Sequence, residues 1–215
     1  MIVVTANQFA NLARKFPPTD KYRYAVPYSH LLRFLPKDRQ PKILELGTGE
    51  KASFVKMMRR LMGPLVWLGT VDIRADFVAE AKDTADYAKV VDLGDEDQIL
   101  KLATELSLGG NRPDMVIDDG SHFATQIHLS QSILYPTLNP GGIYVIEDLE
   151  TNDKPKYHQG SQSRPVDILI KLVERVCKGR PFTDSPQYYF YQNFAAIIKA
   201  GGAYTRIDME PPTSA

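Results

Sequence analysis

Residues 42–49 read Lys42-Ile43-Leu44-Glu45-Leu46-Gly47-Thr48-Gly49. An apolar run broken by one acid ends in two glycines, and the following residues from Ser53 to Leu61 carry a helical period. The run Lys42–Leu46 reads as a buried strand. The glycines read as a tight turn that lets main chain approach a ligand closely. The next apolar run, Val66–Asp72, also closes on an acid, Asp72. Gly47 and Gly49 after one strand and Asp72 at the end of the next suit the two hydroxyls of a ribose. Glu45 beside the glycines suits a positively charged amino group. An adenosine carrying an amino acid would use both features, although an ordinary tight turn also accounts for the glycines taken alone. The continuation Glu50-Lys51-Ala52-Ser53 does not complete a phosphate loop, and no third glycine completes the dinucleotide fingerprint.

Outward from this stretch, strand and helix patterns alternate. Helices are predicted over Asp76–Tyr87, Glu96–Leu106 and Ala124–Tyr135. Strands are predicted over Ala88–Val91, Asp114–Asp118 and, after the turn Asn139-Pro140-Gly141-Gly142, over Ile143–Glu147. Strand-then-helix repetition implies parallel strands joined by right-handed crossovers, in a sheet covered on both faces. Residues 7–35 read as one or two amphipathic helices with Phe16-Pro17-Pro18-Thr19 between them. Residues 151–165 read as a polar loop, Val166–Cys177 as a helix, and Tyr188–Lys199 as a final antiparallel hairpin. Together these give one α/β domain over 1–215: a helical N-terminal lid (1–35), a core (36–200) and a tail (201–215).

The chain has 215 residues, one cysteine and equal numbers of acidic and basic side chains. That length fits one domain. A lone Cys177 permits no internal disulfide and suggests a reducing, cytoplasmic setting. No apolar window approaches a membrane span, and the N-terminus lacks the pattern of a signal peptide. The balanced, scattered charge disfavours a nucleic-acid partner.

Strand four ends in Asp118-Asp119 and strand five in Glu147-Asp148. In an open parallel sheet the ligand crevice lies outside the carboxyl ends of the strands. If these strands are neighbours, their ends lie about 4.8 Å apart, and the carboxylates converge. Like charges that close need a proton or a cation to coexist, and Mg²⁺ with oxygen ligands meets the need. His122, three residues after Asp119, is placed to act as a general base. The alternative is that Ser121 or Asp119 caps the next helix and His122 merely packs. His128 reads as packing or surface, and His30 and His158 have no partner identifiable in the sequence. Tyr22, Tyr24, Tyr28, Tyr157 and Tyr188-Tyr189-Phe190-Tyr191 are candidates for an aromatic pocket, with core and lid packing the alternative for each.

The strings "LELGTG", "VDI", "IDDGSH" and "LYPTLNPGGIYVIEDLET" together resemble the metal-dependent O-methyltransferases of the macrocin and mycinamicin sugar type, which are class I enzymes using S-adenosylmethionine (SAM). The resemblance runs from about Thr19-Asp20-Lys21-Tyr22 to about Lys199. It implies a Rossmann-like, seven-stranded class I methyltransferase fold, mostly parallel with an antiparallel C-terminal hairpin. It implies Mg²⁺ held at Asp119, Glu147 and Asp148, and a base at His122. SAM contacts are implied at Glu45, Gly47, Gly49, Asp72 and Asp118, with an adenine contact at Asp92. The string "VVDLGDEDQ" departs from the family there, and Asp95 is the other candidate. Thr19–Tyr28 resembles the family's lid motif, with Tyr24 and Tyr28 as wall residues. The activity implied is methyl transfer to a hydroxyl of a small molecule. A homo-oligomer is compatible with the resemblance, since relatives often associate through N-terminal helices and loops. The competing readings are a SAM-binding cyclase or binding protein, and a metal-dependent hydrolase or hydroxylase. The converging acids disfavour the first, and the glycine loop with Asp72 disfavours the second.

Overall fold

The computed structural model describes residues 4–158, 164, 167 and 187–201. Among these, seven strands form one sheet in the order β3-β2-β1-β4-β5-β7-β6. They are β1 (Lys42–Leu46), β2 (Trp67–Asp72), β3 (Tyr87–Val90), β4 (Met115–Asp118), β5 (Ile143–Ile146), β6 (Gln187–Tyr191) and β7 (Phe194–Ile198). The first five are mutually parallel, and β7 joins β5 antiparallel and carries β6 as an antiparallel edge. The expected mostly parallel sheet with a C-terminal hairpin is the observed one. Of the helix expected at 166–177, all but residue 167 lies outside the described residues.

Alternation along the strands divides the core between two faces. Ile43, Leu68, Met115, Ile117, Val145 and Ala196 face helices α1 (Ala6–Ala13), α2 (Ala25–Leu31) and α3 (Ser53–Met62). Leu44, Leu46, Val116, Tyr144, Ile146 and Ile197 face α5 (Glu96–Leu108) and α6 (Ala124–Thr137). This two-sided cover is why the strands read as nearly unbroken apolar runs rather than alternating ones. Phe9 of α1 and Tyr28 and Leu31 of α2 are fully buried, so the N-terminal helices form part of the core on that face.

One predicted boundary is corrected. The helix expected over Asp76–Tyr87 is α4, Ala75–Ala81, and Tyr87 opens β3. The Asp86 carboxylate accepts from the Leu68 N–H at 2.8 Å and from Arg59 at 2.6 Å. These ties draw the chain into the sheet before another helical turn can form.

The order reverses between β1 and β4. β1 continues outward to β2 and β3, and β4 to β5. Both loops that the sequence singled out leave the sheet at that switch point, where an α/β sheet offers its ligand crevice.

Candidate active site

On the β1 side, the turn is built by main chain. The N–H groups of Gly47 and Thr48 both donate to the Val71 carbonyl, at 2.8 and 3.1 Å. Gly47 has φ +94°, and a Cβ there would meet the Asp119 carbonyl oxygen at 2.3 Å. Only glycine brings the β1 turn and the β4 turn this close. The Gly49 N–H donates to Asp72 Oδ2 at 3.1 Å, and Asp72 Oδ1 accepts from the Arg74 N–H at 2.9 Å. Glu45 is buried, with Thr70 Oγ1 donating to it at 3.2 Å and the Thr48 hydroxyl 2.8 Å from that of Thr70. Burial pushes the Glu45 carboxyl well above its usual range, against the pull of Lys21. A cationic amino group arriving at such a carboxylate would offset part of that cost. Glu45, Gly47, Gly49, Lys21, Phe54 and Asp119 line a hollow of about 170 Å³. A larger hollow of about 470 Å³, between 35–41 and 62–65 at the opposite end of β1 and β2, lies away from these acids.

On the β4 and β5 side, side chains do the work. β4 pairs with β5 in the register Asp118↔Ile146, and the Glu147 N–H donates to the Asp118 carbonyl at 3.1 Å. The neighbour relation assumed from sequence is therefore present. Ligand atoms of Asp119, His122 and Asp148 lie within 4.8 Å of one another, and His122 Nε2 stands 3.7 Å from Asp148 Oδ2. Glu147 is adjacent but committed: Tyr28 Oη donates to Oε1 and Lys21 Nζ to Oε2. Lys21 Nζ also donates to Asp119 Oδ2, and Tyr24 Oη to Asp148 Oδ1. Burial pushes the carboxyls of Asp119 and Glu147 up, and Lys21 opposes this in both.

Asp118 turns to the other face, where Tyr144 Oη donates to it at 2.8 Å; burial raises its pKa to about 7. Asp92 accepts from the Gly94 N–H at 2.7 Å in the loop after β3. Asp95 caps α5 through the Gln98 N–H at 3.1 Å and also accepts from the Gln98 amide at 2.8 Å. Neither Ser121 nor Asp119 caps α6, whose N-cap is Phe123 without a side-chain bond. His122 instead stands in the left-handed region, φ +59°, as do Asp148, Lys51 and Ala52 in the facing loops. Non-glycine residues held there cost energy and gather at functional sites. The His122 ring meets Tyr157 edge-on at 6.3 Å, and Phe123 lies 5.7 Å from the Tyr157 ring.

The remaining aromatic candidates fall elsewhere. Tyr188–Tyr191 lie on the edge strand β6, where Phe190 and Tyr191 are exposed. Tyr189 Oη is 3.3 Å from His30 Nδ1, a partner the sequence did not disclose. Tyr22 lies under the Arg14 guanidinium. The most consequential residue missed was Lys21, which stands in the quoted string Thr19-Asp20-Lys21-Tyr22 without a role assigned to it.

Seven strands in this order, with a reversed C-terminal hairpin and the crevice at the switch point, decide the architecture. This is the class I methyltransferase fold. The solved structure of the MycE methyltransferase of mycinamycin biosynthesis, in complex with Mg, SAH and mycinamycin VI, superposes with a TM-score of 0.73 at 22% identity, over 92% of this chain and 57% of that one. The O-methyltransferase TomG of Streptomyces achromogenes, in complex with SAM, superposes with a TM-score of 0.52 at 20% identity, over 92% of this chain and 90% of that one. In sequence, the chain is similar to 8-demethyl-8-alpha-L-rhamnosyl tetracenomycin-C 2'-O-methyltransferase of Streptomyces olivaceus, 38% identical over 34% of this chain and 19% of the relative. It is also similar to demethylmacrocin O-methyltransferase of Streptomyces fradiae, 36% identical over 39% of this chain and 22% of the relative. Mycinamicin VI 2''-O-methyltransferase of Micromonospora griseorubida is 46% identical over 24% of this chain and 12% of its own length. The matched stretch thus spans about a fifth or less of these relatives. No protein-family model matches the chain. No helix among the described residues is long and apolar enough to cross a membrane.

Proposed function

We propose that the protein is a SAM- and Mg²⁺-dependent O-methyltransferase acting on a hydroxyl of a small, natural-product-like acceptor. One observation carries the reading: the main-chain turn with Glu45 and the Asp119–His122–Asp148 group meet at a single switch point, with Gly47 packed against the Asp119 carbonyl. The donor set suits a hard divalent ion, since it is mostly carboxylate oxygen and carries excess negative charge. Asp119 and Asp148 would hold the ion with Glu147 beside them, and when bound it supplies Lewis acidity that makes a nearby hydroxyl easier to ionise.

The chain's own residues do the rest. Glu45 binds the amino group of the methyl donor, Asp72 its ribose hydroxyls and Asp92 its adenine. Gly47 and Gly49 let main chain lie against it, and Asp118 is a further contact. His122 Nε2 takes the acceptor's proton. The methyl group passes from sulfonium sulfur to acceptor oxygen, which leaves a neutral thioether. Alignment of this kind is worth about 7–11 kcal/mol of barrier. The acceptor faces Tyr157 and Phe123, which help exclude water. A sugar hydroxyl is the acceptor class most in keeping with the relatives' names. The single cysteine is consistent with a cytoplasmic setting, and self-association through the N-terminal helices is part of the same reading.

The test is incubation with methyl-deuterated SAM, Mg²⁺ and a panel of glycosylated and phenolic hydroxyl compounds, followed by mass spectrometry. Transfer of a labelled methyl group supports the reading. A product that gains oxygen or water, or cyclises without the label, favours the competing chemistries.

A further inference from the structure

A side-chain amide from the first turn of α6 reaches the loop after β3. Ser121 Oγ accepts from the Phe123 N–H at 3.3 Å, which leaves its own hydrogen to donate to Gln126 Oε1. With its oxygen held in this way, Gln126 presents Nε2 to the β3 loop. A Cβ on Gly94 would meet Gln126 Nε2 at 2.9 Å and Asp92 Oδ1 at 3.1 Å. The amide and the carboxylate therefore flank one point, and glycine keeps that point open. Neither Asp92 Oδ2 nor Gln126 Nε2 has a hydrogen-bond partner among the described residues. Apolar surface lies nearby. Leu93 Cδ1 stands 2.7 Å from where a Gly120 Cβ would be, and Ile73, directly after Asp72, is 62% exposed.

An acceptor beside a donor fits one kind of base edge. Adenine offers its 6-amino group, a donor, next to N1, an acceptor. Hypoxanthine, its deaminated form, offers the reverse: a 6-oxo acceptor next to an N1–H donor. We propose that Gln126 is a specificity-determining residue that donates to adenine N1 while Asp92 accepts from the 6-amino group. Ser121 is the positioning residue that fixes the amide in this sense. The pair makes the site select an adenine nucleoside against its deaminated form. This rests on the SAM reading above.

The test is calorimetric titration of S-adenosylhomocysteine and of S-inosylhomocysteine into the full chain, as wild type, Gln126→Leu and Ser121→Ala. Each mismatched contact is worth about tenfold. Wild type is expected to favour the adenosyl compound by about a hundredfold, and Gln126→Leu to reduce that preference about tenfold. Ser121→Ala frees the amide to turn over and offer Oε1 to the N1–H of hypoxanthine. Its affinity for the inosyl compound is expected to rise above that of wild type, a gain that mere loss of structure would not produce. If Gln126→Leu does not fold, Ser121→Ala carries the comparison. A preference that both variants leave unchanged, or a wild type without one, overturns the proposal while the SAM reading stands. A wild type that binds neither compound overturns the SAM reading itself, and the inference falls with it.

Discussion

The two loops that meet at the switch point are built on different principles. After β1, main chain makes the site: two glycines, their N–H groups, and a contact in which Gly47 lies against the Asp119 carbonyl. After β4 and β5, side chains make it, and they arrive from Lys21, Tyr24 and Tyr28 as well as from the loops themselves. A main-chain site depends on conformations that few residues adopt, so it fails by steric change. A side-chain site depends on charge and reach, so it fails by loss of a functional group while the fold survives. The difference also bears on the resting energetics: the buried acids are balanced by side chains from residues 21–28, whereas the N–H groups of the glycine turn are satisfied by Val71 and Asp72 at the end of the neighbouring strand β2.

The largest effect is expected on the side-chain half. His122→Ala should lower the rate of methyl transfer by about 10²–10⁴-fold, the usual share of a general base. SAM affinity and thermal stability should stay near wild type, because the ring is not a helix cap and stands beside Asp148 and Tyr157 rather than the glycine turn. Steady-state kinetics beside a binding titration checks the separation. Loss of SAM binding in this variant would mean the two halves are not distinct.

The main-chain half should respond in the opposite manner. Gly47→Ala forces a Cβ to within 2.3 Å of the Asp119 carbonyl at φ +94°. It should cost about 3 kcal/mol or more, from a left-handed residue plus overpacking, and SAM affinity should fall with it. Gly49→Ala shares the positive φ, +65°, but meets nothing within 4 Å, so only the conformational cost of about 1–2 kcal/mol applies. Denaturant unfolding of both variants measures the gap. Equal losses would mean that the approach of the two turns is not what Gly47 secures.

The smallest effect separates Asp92 from Asp95. Asp95→Ala should lower the melting temperature slightly and leave SAM affinity intact, because Asp95 caps α5. Asp92→Ala should do the reverse. Hydrogen bonds from Gln98, the side chain first, lower the Asp95 pKa. The stability it adds is therefore present above the unfolded carboxylate pKa and is lost as pH falls through the folded one. The wild type's thermal advantage over Asp95→Ala should vanish in acid, and calorimetric scans across that range test the sign.

The same contrast explains what could be read from sequence. The β1 turn was legible because a strand, a glycine turn and an acid on the next strand are local patterns, and Glu45, Gly47, Gly49 and Asp72 lie together in the crevice half expected of them. The pairing of the β4 and β5 ends stood only as a condition, because acids closing two apolar runs do not fix which strands are neighbours; the register Asp118↔Ile146 meets it. Lys21 was not, because its partners lie 98 and 126 residues away and nothing in a single lysine announces burial. The strain at His122 and Asp148 was equally invisible, since neither residue type demands a positive φ. Asp95, the other adenine candidate, caps α5. The Asp-x-x-Gln spacing was a signal that could have assigned it. The α4 boundary was misplaced because Asp86, an ordinary polar residue in the string, ties the chain to β2.

The most direct test of the two-part site is calorimetric titration of SAM and of Mg²⁺ into wild-type protein and into Asp119→Ala. The account predicts that wild type binds both, and that Asp119→Ala loses Mg²⁺ while keeping SAM within a few fold. Absence of SAM binding to wild type, or undiminished Mg²⁺ binding to Asp119→Ala, would contradict it.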